Sequence, residues 1–218
     1  MTKFFTIDHV EKRGTPYASK IISDDVVYFD ACLECGRSQF NHSNRDLALV
    51  VEGKRTLPDY LLCGHYPLKI VSQRVIDAWQ KNDITGYTAF PIRNLIDAKG
   101  NEIHLDYKCF CVTITGRVEL DLERMGVFIR KQCSACGALD YSKETWEWDL
   151  VSVNGSTHDG SHLFVAKHFE SVPICTIKVL EVVYKENLTN FQFRTYESMF
   201  SMLTSPVIDL KSIFQSKT

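Results

Sequence analysis

The sequence lacks the features of a membrane or exported protein. No apolar run approaches the roughly 20 residues that a membrane-spanning helix needs. The first residues contain no long apolar region and no small-residue cleavage site, so we expect no export signal, no membrane partner and a cytoplasmic location. In the cytoplasm, cysteines are usually thiols or metal ligands and rarely form disulfides. The eight cysteines of this chain are therefore expected to be thiols or ligands.

A strong excess of charge of either sign is also absent. The 218 residues include 25 Lys and Arg against 27 Asp and Glu, a net charge of −2. Such a balance gives no general attraction to nucleic acid or to an anionic membrane. The hydrophobic fraction of 44% and the charged fraction of 24% are those of an ordinary folded protein, so we do not expect disorder.

No common catalytic motif occurs in the sequence. There is no glycine-rich phosphate loop, no GxSxG, no HExxH and no carboxylate pair at a telling spacing. We predict a protein that is not an enzyme, with neither catalytic nor cofactor-binding residues. A catalytic alternative stays open, because Cys63 lies two residues before His65. Nucleophilic Cys–His pairs, however, usually meet through the fold and not through the sequence.

Two copies of a Cys-x-x-Cys-Gly motif, 101 residues apart, are the most informative feature. They span Cys32–Gly36 and Cys133–Gly137. Each copy offers two thiolates from one tight turn, and the glycine permits the left-handed backbone that such a turn often needs. Four sulfurs are the number that a closed tetrahedral zinc site requires. We predict a structural zinc ion, or another thiolate-loving metal, with these ligands: Cys32, Cys35, Cys133 and Cys136.

A redox-active pair in each motif is the alternative to a metal site. A thioredoxin-like pair lies at the start of a helix that follows a strand, where the thiol pKa is lowered. Here a glycine follows each pair and no long apolar helix begins there. The motifs therefore favour metal binding. A site closed by four sulfurs has no open position for water and so no hydrolytic chemistry.

Two longer segments match each other in nearly the same register as the motifs. Residues 70–87 read IVSQRVIDAWQKNDITGY and residues 174–191 read ICTIKVLEVVYKENLTNF. Their offset is 174 − 70 = 104, against 133 − 32 = 101 for the motifs, so one insertion of three residues accounts for both. Each segment predicts an amphipathic helix, over 72–82 and 176–187, with a Ser or Thr as N-cap. Two unrelated amphipathic helices can also have similar sequences. The Cys-x-x-Cys-Gly motifs, however, repeat at nearly the same offset as the two segments, which argues against a coincidence.

We therefore predict an internal duplication, consisting of one half-module over residues 1–100 and a second over 101–218. Each half-module contains one Cys-x-x-Cys-Gly motif and one helix flanked by strands. The predicted fold class is α+β. The two half-modules are expected to be fused into one compact fold, joined by the four-cysteine zinc site.

The remaining cysteines and histidines have less specific patterns. Cys109 and Cys111 face the same side of a predicted strand, where they are either ligands or, as we prefer, small core residues. His158, His162 and His168 cluster in the second half. One interpretation is that these histidines bind a metal. We favour the other, that they are surface histidines of loops that lie close together in the sequence by chance.

The paired motifs, each followed by a helix and a strand, resemble the bacterial double-CXXCG motif family. The resemblance covers Cys32–Gly36, Cys133–Gly137 and the stretch VSQRVIDAWQKNDITGYTAFPI at 71–92, which is also similar to a repeated unit of another group of bacterial immunity proteins. Members of the family are found as immunity proteins beside polymorphic toxins. The resemblance implies a protein that binds a cognate toxin in the cytosol and blocks it, with the four motif cysteines as zinc ligands. It implies no particular toxin-contacting residues.

A zinc-ribbon protein that binds nucleic acid or acts as an adaptor is the second hypothesis. The near-neutral charge and the lack of Lys and Arg clusters around the motifs are unfavourable to it; Arg130 and Lys131 lie near the second motif. The oligomeric state stays open at this point.

Overall fold

Strands dominate the structure and helices are few. The computed structural model describes residues 3–9, 15–21, 28–36, 38–41, 47–53, 56–63, 69–142, 152–167, 169–197 and 205–215. The expected α+β class is confirmed, and the chain is compact. Within these residues, no helix is long and apolar enough to cross a membrane.

Sixteen strands and three α-helices occur in the described part of the chain. The first eight strands are β1 (Phe4–His9), β2 (Tyr17–Ile21), β3 (Tyr28–Ala31), β4 (Ser38–Asn41), β5 (Ala48–Glu52), β6 (Tyr60–Cys63), β7 (Lys69–Ser72) and β8 (Tyr87–Pro91). The other eight are β9 (Asn94–Asp97), β10 (Cys109–Ile114), β11 (Gly116–Val118), β12 (Ile129–Gln132), β13 (Leu139–Tyr141), β14 (Leu163–Ala166), β15 (Phe169–Thr176) and β16 (Phe191–Tyr196). The helices are α1 (Gln73–Lys81), α2 (Ile177–Lys185) and α3 (Leu210–Phe214).

Twelve of the strands form two sheets, and the other four form two separate hairpins. The five-stranded sheet has the order β11-β14-β15-β1-β16. The seven-stranded sheet has the order β8-β10-β7-β6-β2-β5-β9. The hairpins are β3-β4 and β12-β13, both antiparallel. Each hairpin carries one Cys-x-x-Cys-Gly motif at its turn, so the motifs lie outside the two large sheets.

Each half of the chain contributes one internal strand to a sheet built mainly by the other half. Strand β1, at the start of the chain, lies between β15 and β16 and is antiparallel to both. Strand β10, from the second half, lies between β7 and β8 in the same way. Because these are internal positions, neither half forms a complete sheet by itself.

The two predicted helices are present, one residue shorter at the start and one or two at the end. Ser72 and Thr176 occupy the N-cap positions, and neither side chain makes a capping hydrogen bond. The Ser72 hydroxyl instead donates to Asp59 Oδ1 at 2.6 Å. Two residues after each helix the chain turns through a left-handed residue, Asp83 with φ 52° and Asn187 with φ 50°. Asp and Asn tolerate this conformation better than other non-glycine residues do.

The largest core cluster is shared by both halves. The apolar faces of α1 and α2 pack there together with Phe5 and Ile7 of β1. The buried helix residues are Val75, Ile76, Ala78 and Trp79 from α1 and Val179, Leu180, Val182 and Val183 from α2. The apolar spacing of the sequence predicts Val75, Ile76 and Trp79 for the first buried face and Val179, Leu180 and Val183 for the second, and all six are buried. One smaller cluster lies on the opposite face of each sheet. Because burial of apolar surface is the main favourable term in folding, the shared cluster couples the halves.

Candidate metal centre

Each Cys-x-x-Cys-Gly motif forms the tight turn of its hairpin. The glycine N–H donates to the carbonyl of the first cysteine, from Gly36 to Cys32 at 2.7 Å and from Gly137 to Cys133 at 2.9 Å. The φ angles of the two glycines are 70° and 72°. A side chain is strained in this left-handed region, which explains why glycine ends both motifs. The predicted left-handed turn is confirmed.

The two turns bring four sulfur atoms together. The Sγ atoms of all four motif cysteines lie within 4.8 Å of one another. Cys32 and Cys133 are 3.8 Å apart and Cys35 and Cys136 are 3.5 Å apart, measured between sulfurs. In a tetrahedral site with metal–sulfur bonds of about 2.3 Å, sulfurs are separated by about 3.8 Å. A disulfide needs a separation of about 2.05 Å. The geometry fits thiolates around one ion and is too wide for disulfides.

The donor set determines what such an ion would do. Four thiolates complete a tetrahedral coordination shell, so no position stays open for water or substrate. An ion bound here cross-links the β3-β4 hairpin to the β12-β13 hairpin and performs no hydrolysis. Cys133 is buried, Cys32 and Cys136 are half-buried and Cys35 is exposed. The site therefore lies at the surface, where a metal can enter without unfolding the chain.

A carboxylate also bridges the two turns. Glu34 Oε2 accepts a hydrogen bond from Ser134 Oγ at 2.8 Å and lies 3.6 Å from Cys133 Sγ. These contacts, led by the Ser134 hydroxyl, lower the pKa of the Glu34 carboxyl from its ordinary value. The Glu34–Ser134 contact does not require a metal. It therefore helps to hold the two turns side by side before an ion binds.

The backbone of the first turn favours a thiolate. The N–H groups of Cys35 and Glu34 lower the pKa of the Cys32 thiol to about 7. At Cys136 the backbone N–H of Ala138 acts in the same direction, but burial and the neighbouring thiols raise the pKa to about 12. Four sulfurs this close repel one another when ionised, since like charges disfavour further deprotonation.

The surroundings of the cluster are open and partly apolar. Leu33, at the tip of the first turn, has a relative exposure of 104%, and Phe128, just before β12, has 66%. All four residues of β12 are exposed. A shallow cleft beside the sulfurs is lined by Glu34, Cys35, Lys131, Cys133, Ser134, Ala138, Leu139 and Asp140. This end of the molecule offers both charged and apolar groups to solvent.

The four cysteines outside the two motifs are not part of this cluster. Cys109 and Cys111 are buried in the smaller core cluster of the seven-stranded sheet, on the face opposite the shared core. Burial raises the pKa of each thiol to about 12. The preference for small core residues is confirmed. Cys63 packs against the same core, while its candidate partner His65 lies outside the described residues. Cys175 is fully buried in the shared core.

The histidines do not form a metal cluster with one another in the described residues. The His158 ring packs against Phe4 and Phe164, at centroid distances of 5.2 and 4.3 Å. His162 contacts Thr85 of the other half, with 2.9 Å between Nδ1 and Oγ1. His168 lies outside the described residues. His158 and His162 thus have contacts with the protein itself.

Sequence reasoning missed two groups of residues. Glu34 and Ser134 occupy variable positions of the two motifs. A carboxylate in one turn and a hydroxyl in the other could have predicted their hydrogen bond once the two turns were placed side by side. Asp59 is buried and binds Ser72, Arg74 and Thr189. Thr189 is 130 positions away from it, and the sequence carries no local signal for that contact.

Set against known proteins, the chain matches no family profile and no curated sequence.

Proposed function

We propose that this protein is an immunity protein, which binds a cognate bacterial toxin in the cytosol and neutralises it without catalysis. The observation that carries the proposal is the convergence of both CXXCG motifs on one four-sulfur cluster. It gives a physical reason for the paired motifs through which the sequence resembles the double-CXXCG family. A neutralising protein needs a rigid body and a complementary surface of roughly 800 Å² per partner, and it needs no reactive centre.

The proposal includes a structural zinc ion at the four cysteines. Zinc is redox-inert, accepts four thiolates in a tetrahedron and is the usual metal of closed Cys₄ sites. Its binding free energy in such sites is comparable with the stability of a whole domain. The ion fixes the two hairpins to each other and so keeps the surface around them in one geometry.

The proposal also includes the internal duplication. What supports it is a set of equal offsets: α1 and α2 begin at 73 and 177 and end at 81 and 185, a difference of 104 at both ends. The left-handed residues Asp83 and Asn187 repeat the same difference. The strand orders β2-β6-β7-β10-β8 and β11-β14-β15-β1-β16 correspond element by element. On this account β1 and β10 are equivalent strands, each inserted into the other repeat.

The test of the immunity role starts from the gene neighbourhood. The adjacent gene should encode a larger protein with a toxin-like C-terminal domain. Expression of that domain alone should stop growth, and co-expression of this protein should restore it. The two purified proteins should form a complex in gel filtration. A zinc-loaded protein that neither binds nor neutralises the neighbouring toxin contradicts the immunity role and leaves the metal site intact.

A nucleic-acid-binding zinc ribbon is the second candidate. The observation in its favour is that Arg130 and Lys131 lie exposed on β12, near the start of the second motif. Binding through phosphate contacts is strongly weakened by salt. Filter binding of DNA and RNA over a range of salt concentrations separates the two candidates. Salt-sensitive binding that is lost in the Arg130→Ala, Lys131→Ala double variant favours the zinc ribbon, and no binding favours the immunity role.

A further inference from the structure

Two of the hydrogen-bonded contacts between the halves of the chain are built alike. In the first, Asp59 Oδ2 accepts from the Thr189 N–H at 2.8 Å and from Thr189 Oγ1 at 2.9 Å. The Asp59 N–H donates back to Thr189 Oγ1 at 3.0 Å. In the second, His162 Nδ1 accepts from the Thr85 N–H at 3.2 Å, and the His162 N–H donates back to Thr85 Oγ1 at 3.3 Å. We call these the Asp59 brace and the His162 brace.

The two braces occupy corresponding positions in the fold. The carbonyl of Asp59 accepts from the Ser72 N–H, directly before α1, and the carbonyl of His162 accepts from the Thr176 N–H, directly before α2. The threonines are 189 − 85 = 104 positions apart, the same offset as the helices. The braces therefore differ mainly in their acceptor, which is a carboxylate in one and an imidazole in the other.

The difference in acceptor makes only one brace sensitive to mild acid. An ordinary aspartate titrates near pH 4 and an ordinary histidine at about pH 6.5. Because the backbone N–H of Thr85 points at His162 Nδ1, this nitrogen must carry a lone pair and the ring proton must lie on Nε2. Protonation of Nδ1 places two N–H groups opposite each other. The protonated ring can still donate to Thr85 Oγ1, but the Thr85 N–H loses its acceptor.

The charged groups around the two braces also differ. Arg74 NH1 lies 3.2 Å from Asp59 Oδ2, so the Asp59 brace includes an ion pair with a basic side chain. The described groups that face His162 are Lys178 of α2, His158 from the loop before β14, and Asp83 after α1. Burial, then the electrostatic effects of Lys178 and His158, lower the pKa of His162 from its ordinary value, and Asp83 acts in the opposite direction. His162 is therefore protonated at a lower pH than an ordinary histidine.

We propose that the His162 brace is a pH-sensitive contact between the two halves, which opens when His162 is protonated in mild acid while the Asp59 brace stays closed. The direction of the change in stability with pH follows from the linkage between proton binding and folding. A histidine that binds protons more weakly in the folded state stabilises the fold above its unfolded pKa of about 6.5, and this contribution is lost as the pH falls below that value. Mild acid therefore weakens the contact between the halves at the His162 brace and not at the Asp59 brace.

The test compares thermal unfolding of the zinc-loaded wild type and His162→Asn at pH 7.5 and pH 5.5. The amide oxygen of asparagine accepts a hydrogen bond at both pH values. Loss of one hydrogen bond in a chain of this size lowers Tm by about 2–4 °C. We expect the Tm of the wild type to fall by about that much more than the Tm of His162→Asn. Proton competition for the thiolates acts on both proteins alike, and His104→Asn, at an exposed histidine, should follow the wild type.

Equal losses of Tm in the wild type and His162→Asn overturn the proposal. Should His162→Asn fail to fold, NMR of the wild type still decides. We expect the Nε2–H tautomer of His162 at pH 7.5, and a drop in the hydrogen-exchange protection factor of the Thr85 amide at pH 5.5 that the Thr189 amide does not share. An Nδ1–H tautomer, or equal protection of Thr85 at both pH values, contradicts it.

Discussion

The Sγ atoms of Cys35 and Cys136 lie 3.5 Å apart, although 136 − 35 = 101 positions separate the two residues in the sequence. Cys32 and Cys133 have the same sequence separation and are 3.8 Å apart. A cross-link between distant positions restricts the unfolded chain, and it does so more for a longer loop. A metal ion at this site is therefore expected to stabilise the whole fold and not only the hairpins.

Replacement of a motif cysteine should abolish metal binding. Cys136→Ser removes one of four thiolates, and zinc prefers sulfur donors in such sites. We expect zinc content, measured by elemental analysis of the purified protein, to fall from one ion per chain to a small fraction of that. Cys63→Ser makes the same chemical change at a cysteine outside the cluster and should retain one ion per chain.

Each hairpin alone offers only two sulfurs, so a change in either one should have the same effect. Cys32→Ser and Cys133→Ser are expected to lose zinc to the same extent. Retention of half the zinc in each of these variants contradicts a shared site, because it indicates one independent ion per hairpin.

Removal of the metal should lower thermal stability substantially and reversibly. A ligand present at a thousand times its Kd stabilises the folded state by about 4 kcal/mol. In a chain of this size that corresponds to a decrease in Tm on the order of 10 °C after chelation. Calorimetry before and after treatment with a chelator measures the change, and added zinc should restore the original Tm. An unchanged Tm in protein proven to be metal-free argues against a structural role.

The bridge between Glu34 and Ser134 should support the site without being essential to it. Ser134→Ala removes the 2.8 Å hydrogen bond between the two turns, and Glu34→Gln weakens it. We expect weaker zinc affinity in a competition titration with a chromogenic chelator, and an unchanged stoichiometry. Glu123→Gln removes an exposed carboxylate elsewhere and serves as the control for net charge. Affinity equal to the wild type in both bridge variants means that the turns need no such support.

The Asp59 brace should contribute strongly to global stability. Asp59→Ala leaves the buried hydroxyl of Ser72 and both donors of Thr189 without their acceptor. Removal of one partner from a buried, hydrogen-bonded charge costs about 3 kcal/mol or more in free energy of unfolding. Urea denaturation measures this loss. Asp77→Ala, at an exposed position of α1, should change the free energy of unfolding far less, and similar losses in the two variants contradict the role of Asp59.

Local features of the fold could be predicted from the sequence. The apolar spacing of Val75, Ile76 and Trp79 determines which face of α1 is buried, and that face is in the core. The glycines after the second cysteines determine the left-handed turns. Such features depend on neighbouring residues and on backbone sterics, which the sequence states directly.

Features that depend on distant contacts could not be predicted. Nothing in the residues of β1 indicates that it lies between β15 and β16, because a strand of this composition fits either sheet. The Ser72 hydroxyl was expected to cap α1 by accepting from a helix N–H, but it donates to the buried carboxylate of Asp59 and makes no capping hydrogen bond. The four-sulfur cluster was predictable in spite of its long range, since metal coordination requires four donors and each motif supplies two.

X-ray absorption at the zinc edge of the zinc-loaded protein tests the central claim most directly. If Cys32, Cys35, Cys133 and Cys136 share one ion, the spectrum should fit four sulfur neighbours at about 2.3 Å, with one zinc per chain. A first shell that contains nitrogen or oxygen, or a stoichiometry of two ions per chain, would contradict the shared site and the cross-link between the hairpins.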